Sequence, residues 1–501
     1  MNKSILLLTV LILSSAFVSK GWSTIPTGPE AETKGLFGPV ISWPIIPIHV
    51  TLLPNGNVLS FGSTVAGVQG GYVNAVWNPS LGTGASAHIV TPNAIHTDTF
   101  CAGQTVISST GETLMLGGDA KINNKRNYSI ADANFFDHTT NVAMTGAPMA
   151  FKRWYPSLVA MANGDIVILG GRDEKDIPTY ATTPEVFTPN VGFKSLTGAV
   201  SNDAYGVNGA SWKYPRGYLA PNGKVFIIGH AGQSFWLDPA GNGSLVKGNI
   251  KAPNGAWSLP SVMYAPGKIL SIRAKKQAVV LDLNAPTVTM KTVPGISSLR
   301  FWSNATVLAD GKVFVNGGSD FGNQLIGVAY NTEIWNPATE QWTITANSTI
   351  PRLYHSNALL LPDATVLTGG GGAPGPIKNK NAEIYYPPYL YKNDGSGLPA
   401  DRPTIDLAPD SLVWNQSFNV TYTSATPISR VTLVRSGSAT HSMNNDQRFM
   451  ELSFTQVAGD PNTVNVVGPT NRNIAPPGYY MMFIFDQNGV PSISKLIHLQ
   501  D

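Results

Sequence analysis

The chain has 501 residues, 43% of them hydrophobic and only 13% charged, with 50 glycines, 37 prolines and a formal net charge of +3. So small and scattered a basic excess argues against a nucleic-acid partner. The glycine and proline content points to many short strands joined by tight turns, hence an all-β protein of more than one domain.

The first 23 residues read as a secretory signal peptide. Met-Asn-Lys is followed by the apolar run SILLLTVLILSSAFV and then by small and polar residues between Ser19 and Ser23. That is the order of an export leader, and the run is short for a membrane span. The mature protein is expected to be secreted, soluble and free of the membrane. Cys101 is the single cysteine, so a disulfide within the chain is excluded. In an oxidising compartment a lone thiol is either buried or chemically used.

Residues 24–395 carry a repeat. A turn residue is followed by two to four strand residues and often by Gly-Gly, as in PNGNVLSFG, TGETLMLGG, ANGDIVILGG, PNGKVFIIG, APGKILSI, ADGKVFVNGG and PDATVLTGGGG. The turn positions are Gly56, Gly111, Gly164, Gly223, Gly267, Gly311 and Ala364, between 44 and 59 residues apart. A hairpin with Gly-Gly at a period near 50 predicts a seven-bladed kelch-type β-propeller. The aromatic segments AVWNPS, EVFTPN, SFWLDPAG, TEIWNPATEQW and AEIYYPP are read as the outer strands of its blades. After a polar, turn-rich linker, residues 396–501 hold short strands that suit an immunoglobulin-like β-sandwich. Its long polar loop from Ser436 to Arg448 carries His441.

Counting back from each turn places the repeats on a common scale. Tyr155, Tyr214, Trp302 and His355 lie nine residues before the turn, and Cys101, Trp257 and Tyr354 lie ten before. Equal offsets mean equal height, so these side chains should ring one mouth of the channel. Tyr354 and His355 are neighbours, and adjacent strand residues face opposite ways, so both reach one centre only at a strand end or bulge. Phenols and imidazoles together form a mixed N,O donor set that suits Cu(II). Aromatic packing alone is the competing account of the ring. His49, His88, His96, His138, His230 and His498 are read as surface or structural.

Four motifs then carry a resemblance. They are Phe-Cys-x-Gly at Phe100 to Gly103, Arg-Trp-Tyr-Pro at Arg153 to Pro156, Arg-x-Tyr-His-Ser with its glycine run at Arg352 to Gly372, and Thr-His-x-x-Asn-x-Asp-Gln-Arg at Thr440 to Arg448. In this order they resemble the galactose oxidase and glyoxal oxidase family of copper radical oxidases, over roughly residues 35 to 501. The resemblance implies one copper ion held by Tyr155, Tyr354, His355 and His441. It also implies a thioether between Cys101 and the Tyr155 ring, a self-derived cofactor that stores a radical. Tyr354 would take the substrate's hydroxyl proton, and Trp302 or Trp257 would shield the radical.

The expected reaction is oxidation of a small alcohol or aldehyde by O2, with hydrogen peroxide as the second product. No N-terminal carbohydrate-binding sandwich of the galactose oxidase kind is expected ahead of the repeats, and the glycine run is followed by APGPIKN without cysteines, which favours the glyoxal oxidase side of the family. The protein is expected to act as a monomer, with extracellular carbohydrate as a further partner. The alternative is a non-catalytic propeller that binds extracellular polysaccharide, with the aromatic ring as a stacking platform.

Overall fold

The computed structural model describes residues 24–92 and 94–500, so the expected leader over residues 1–23 lies outside the described residues. The molecule is all-β. Among the described residues its strands form seven successive antiparallel sheets of four to six strands, two small ribbons (Asp119–Ile122 with Lys125–Ser129, and Arg172–Glu174 with Thr179–Tyr180), and two more sheets near the C-terminus. The first strands of neighbouring sheets lie side by side, and Ser356–Leu360 of the seventh sheet returns to His49–Leu52 of the first. The seventh sheet is completed from the other end of the chain, because Leu36–Phe37 and Ile41–Ser42 both pair with Asn381–Tyr386.

The repeat explains this assembly. All seven turn positions adopt a positive φ between 68° and 87°, the left-handed region that a tight hairpin turn requires. Only at Ala364 is the residue other than glycine. The Gly-Gly pairs serve a second purpose, because each abuts the neighbouring sheet. A Cβ on Gly117 would stand 2.1 Å from the Arg153 carbonyl oxygen, and one on Gly317 2.7 Å from that of Arg352. The aromatic segments differ from their expected place. Glu185–Thr188, Gln233–Asp238 and Asn331–Asn336 are third strands, each covered by a fourth, and this is why Trp335 is fully buried.

Near the C-terminus a four-stranded and a five-stranded sheet face each other. Val420, Val464 and Val466 of the first meet Val431, Leu433, Met482 and Ile484 of the second. The central strand Gly478–Asp486 is almost continuously apolar rather than alternating. Its odd and even faces are both buried: Met482 and Ile484 point into the sandwich, while Met481, Phe483 and Phe485 join the main core of the seven-sheet body.

The segment read as a loop from Ser436 to Arg448 contains a hairpin. Ser438–Thr440 adds to the inner edge of the first sheet, with Ala439 opposite Val50, and Met443–Asn444 pairs back onto it. Its side chains hydrogen-bond the inner strands around it. Thr440 donates to the Ile48 carbonyl, Asn445 to that of Gln104, Gln447 to that of Val307 and Arg448 to that of Leu219. The space between the sheets is therefore filled by this hairpin, and its tip holds His441.

Candidate functional site

The side chains singled out at the heads of the repeats converge. The nitrogen and sulfur ligand atoms of Cys101, His355 and His441 all lie within 4.8 Å of one another, and all three residues are buried. The Tyr155 and Tyr354 hydroxyls touch. The Tyr155 backbone N–H donates to the Cys101 carbonyl at 3.1 Å, which ties the two residues together. Cys101 Sγ stands 3.9 Å from His441 Nε2.

Both imidazoles are held with one nitrogen facing inward. His355 Nδ1–H donates to the Gly372 carbonyl at 2.6 Å, which leaves Nε2 buried and without a partner. Thr440 gives its hydroxyl proton to Ile48, so its oxygen accepts from His441 Nδ1–H at 2.6 Å. His441 Nε2 is likewise left with its lone pair. Burial pushes His355 down to about 3, and burial with the nearby His355 and His49 rings holds His441 well below its ordinary value. Both rings are therefore neutral ligands at physiological pH. Burial raises the Tyr155 and Tyr354 phenols and the Cys101 thiol well above their usual ranges, so all three carry their protons until a cation arrives.

An orphaned imidazole nitrogen, a second one facing a thiol, and two touching phenols fit a metal ion. Two neutral nitrogens with two phenol oxygens make a donor set of the kind Cu(II) takes. His355 and His441 would supply the nitrogens, and Tyr155 and Tyr354 the oxygens.

Aromatic rings pack around the donor set. Trp257 lies 5.3 Å from Tyr155 and 5.9 Å from Tyr354, while Trp302 lies 4.4 Å from Tyr354. The ring stacked on Tyr155 is another one. Trp154 lies 3.9 Å away at an interplanar angle of 27°. It too sits ten residues before its turn glycine, beside Cys101, Trp257 and Tyr354 on the common scale, and that offset is the signal that could have found it. Tyr214 packs 4.9 Å from Tyr155 and donates to the Ala102 carbonyl at 3.0 Å. His49, read as surface or structural, is fully buried behind the site, stacked on Phe61 and 5.7 Å from His441.

Comparison with known proteins agrees with this geometry. A family model described as "Galactose oxidase-like, Early set domain" matches residues 402–499. A galactose oxidase of Gibberella zeae is 28% identical over 93% of this chain and 70% of its own length. The aldehyde oxidase GLOX1 of Arabidopsis thaliana is 24% identical over 84% of the chain and 75% of its own length. Among solved structures, a fungal alcohol oxidase of the AA5 family in complex with copper superposes with a TM-score of 0.83 and 25% identity. That match covers 94% of this chain and all of the other.

Proposed function

We propose, for a chain that belongs to the galactose oxidase and glyoxal oxidase family of copper radical oxidases, that it oxidises a small primary alcohol or aldehyde with O2 and releases hydrogen peroxide. The observation that carries this reading is the meeting of two neutral imidazole nitrogens, two touching phenols and the only thiol at one buried point. The seven sheets are read as the blades of a kelch-type propeller over residues 24–395, followed by a sandwich over 396–501. The leader-like pattern of residues 1–23 supports secretion.

When bound, copper(II) supplies a one-electron acceptor and a Lewis acid for the substrate oxygen. The chain's own residues supply the rest. Tyr354 is the most exposed residue of the donor set, at 9% against 3% for Tyr155. Its oxygen, in contact with that of Tyr155, would take the hydroxyl proton of an entering substrate. Tyr155, joined to Cys101 through sulfur, would hold a radical on its ring and accept the hydrogen atom from the substrate carbon. A thioether donates electron density to the phenol and makes that ring easier to oxidise. Trp154, stacked on Tyr155, and the ring of Trp257 keep water from that ring. The tautomers fixed by Gly372 and Thr440 keep the two imidazole lone pairs aimed inward.

The test is peroxide release by the copper-loaded protein on a panel of primary alcohols and aldehydes. Turnover of at least one class is expected, and copper binding without any turnover across the panel would overturn the reading.

A further inference from the structure

Two cations stand beside the aromatic rings around the donor set, and neither pairs with a carboxylate among the described residues. The Arg172 guanidinium lies 4.3 Å from the Trp154 ring centre and 5.9 Å from that of Trp212. One of its nitrogens donates to the Asn127 carbonyl, while its buried Nε has no partner. The Lys213 ammonium lies 4.8 Å from the Trp257 ring centre and 5.2 Å from that of Trp212. Asp119, the carboxylate that acts on Arg172 through space, is already engaged by Arg126. The two cations thus flank one indole, and the rings they cover are the rings packed on Tyr155.

This arrangement is unfavourable as it stands. Like charges held near each other in a half-buried, apolar setting repel and lose solvation. Lys213 shows the cost, since burial and Arg172 together lower its pKa. Cation–π contact offsets part of that cost. An anion that reaches both would offset more, because charge-assisted hydrogen bonds to a carboxylate are the strongest either side chain can make.

We infer that Arg172 and Lys213 form an anion subsite beside the indoles packed on Tyr155, and that the substrate is a short alcohol or aldehyde bearing a carboxylate. This deepens the proposed oxidase function and rests on it. The carboxylate would anchor the far end of the molecule while the reacting carbon faces the two phenols. Such remote anchoring positions the reacting atoms and lowers KM for the charged compound above all.

The experiment compares each member of a series of ω-hydroxycarboxylates, beginning with glycolate, with its uncharged amide. The expected result is a ratio of kcat/KM, carboxylate over amide, that falls at least tenfold in Lys213→Met and in Arg172→Met. The distant charge control Lys291→Met should keep the wild-type ratio. A wild-type ratio in Lys213→Met, or an equal fall in the control, would overturn the subsite. Should Arg172→Met fail to fold, Lys213→Met decides alone. A second arm titrates the copper-free protein with the same compounds and follows tryptophan fluorescence. Saturable binding of the carboxylates that Lys213→Met weakens tenfold supports the subsite even if no compound is turned over, and indifference to charge refutes it. The oxidase reading and the subsite therefore fail separately.

Discussion

At Tyr155, Trp302 and His355 the backbone turns left-handed, with φ of 73°, 70° and 68°, although none of these residues is glycine. Cys101 at 60° and His441 at 47° do the same. Bulky side chains in this region carry a cost of about 1–2 kcal/mol each. The conformation is what lets Tyr354 and His355, adjacent in sequence, present stacked rings 3.7 Å apart to one centre instead of pointing to opposite faces. The need for an irregular strand head was legible from the Tyr-His pair, but the left-handed turn was not, since nothing in the residue types demands it. A prediction at this scale concerns Cys101. Copper under air should remove two hydrogens from the intact mass of the wild type as sulfur joins the Tyr155 ring, with O2 taking them as peroxide. Cys101→Ser should keep its full mass yet still bind copper, because four other donors remain. Intact-mass spectrometry decides, and an unmodified thiol in the fully loaded wild type would remove the thioether from the account.

Elements of the repeat bear on one another through glycine and buried arginine. Arg153, Arg300 and Arg352 each stand two residues before a ring residue and pair with Glu185, Glu333 and Glu383 of the third strands, all of them essentially fully buried. The Gly-Gly pairs press against the backbone of these arginines, and Gly318 N–H donates to the Arg352 carbonyl at 2.7 Å. Gly317→Ala would force a methyl against that carbonyl at a φ of +68°. Overpacking and left-handed strain together should cost about 3 kcal/mol. Because Arg352 lies two residues before Tyr354, copper affinity should fall with stability. Thermal unfolding of the copper-free protein and a copper titration check both, and a variant as stable as wild type would contradict the packing argument. The period, the turn glycines and the existence of the aromatic strands were readable, because each reports local backbone geometry, whereas the place of those strands as third rather than outermost was not. The glutamate partners were present in PEVF, TEIW and AEIY but gave no pattern of their own. The place of the 438–444 hairpin was hidden, because its pairing with Val50 joins residues almost 400 positions apart.

Across the whole molecule, imidazoles are folded into the interior as neutral groups, and this makes stability depend on pH. Burial pushes His230 and His49 down to about 3, and His88 down to about 4, from an ordinary value near 6.5. Lone histidines gave no hint of this in the sequence, since depth is set by how distant strands pack. His230 lies between the Lys213 carbonyl, which accepts from its Nε2–H at 2.8 Å, and the cations Arg216, Arg273 and Lys213, so no carboxylate helps it to charge. As pH falls below 6.5, the unfolded chain takes protons that the folded chain refuses until about pH 3 to 4. The folded state therefore loses stability through that window, and it regains it as pH rises back toward neutrality. For a fully buried imidazole the loss between pH 6.5 and 4.5 is bounded at about 3 kcal/mol. The copper-free protein should accordingly melt at a lower temperature at pH 4.5 than at pH 7. His230→Gln, which keeps a donor for the Lys213 carbonyl and cannot take up a proton, should flatten that dependence. Calorimetry of both proteins across the window tests this, and a His230→Gln slope equal to that of the wild type would show that His230 already charges in the folded state.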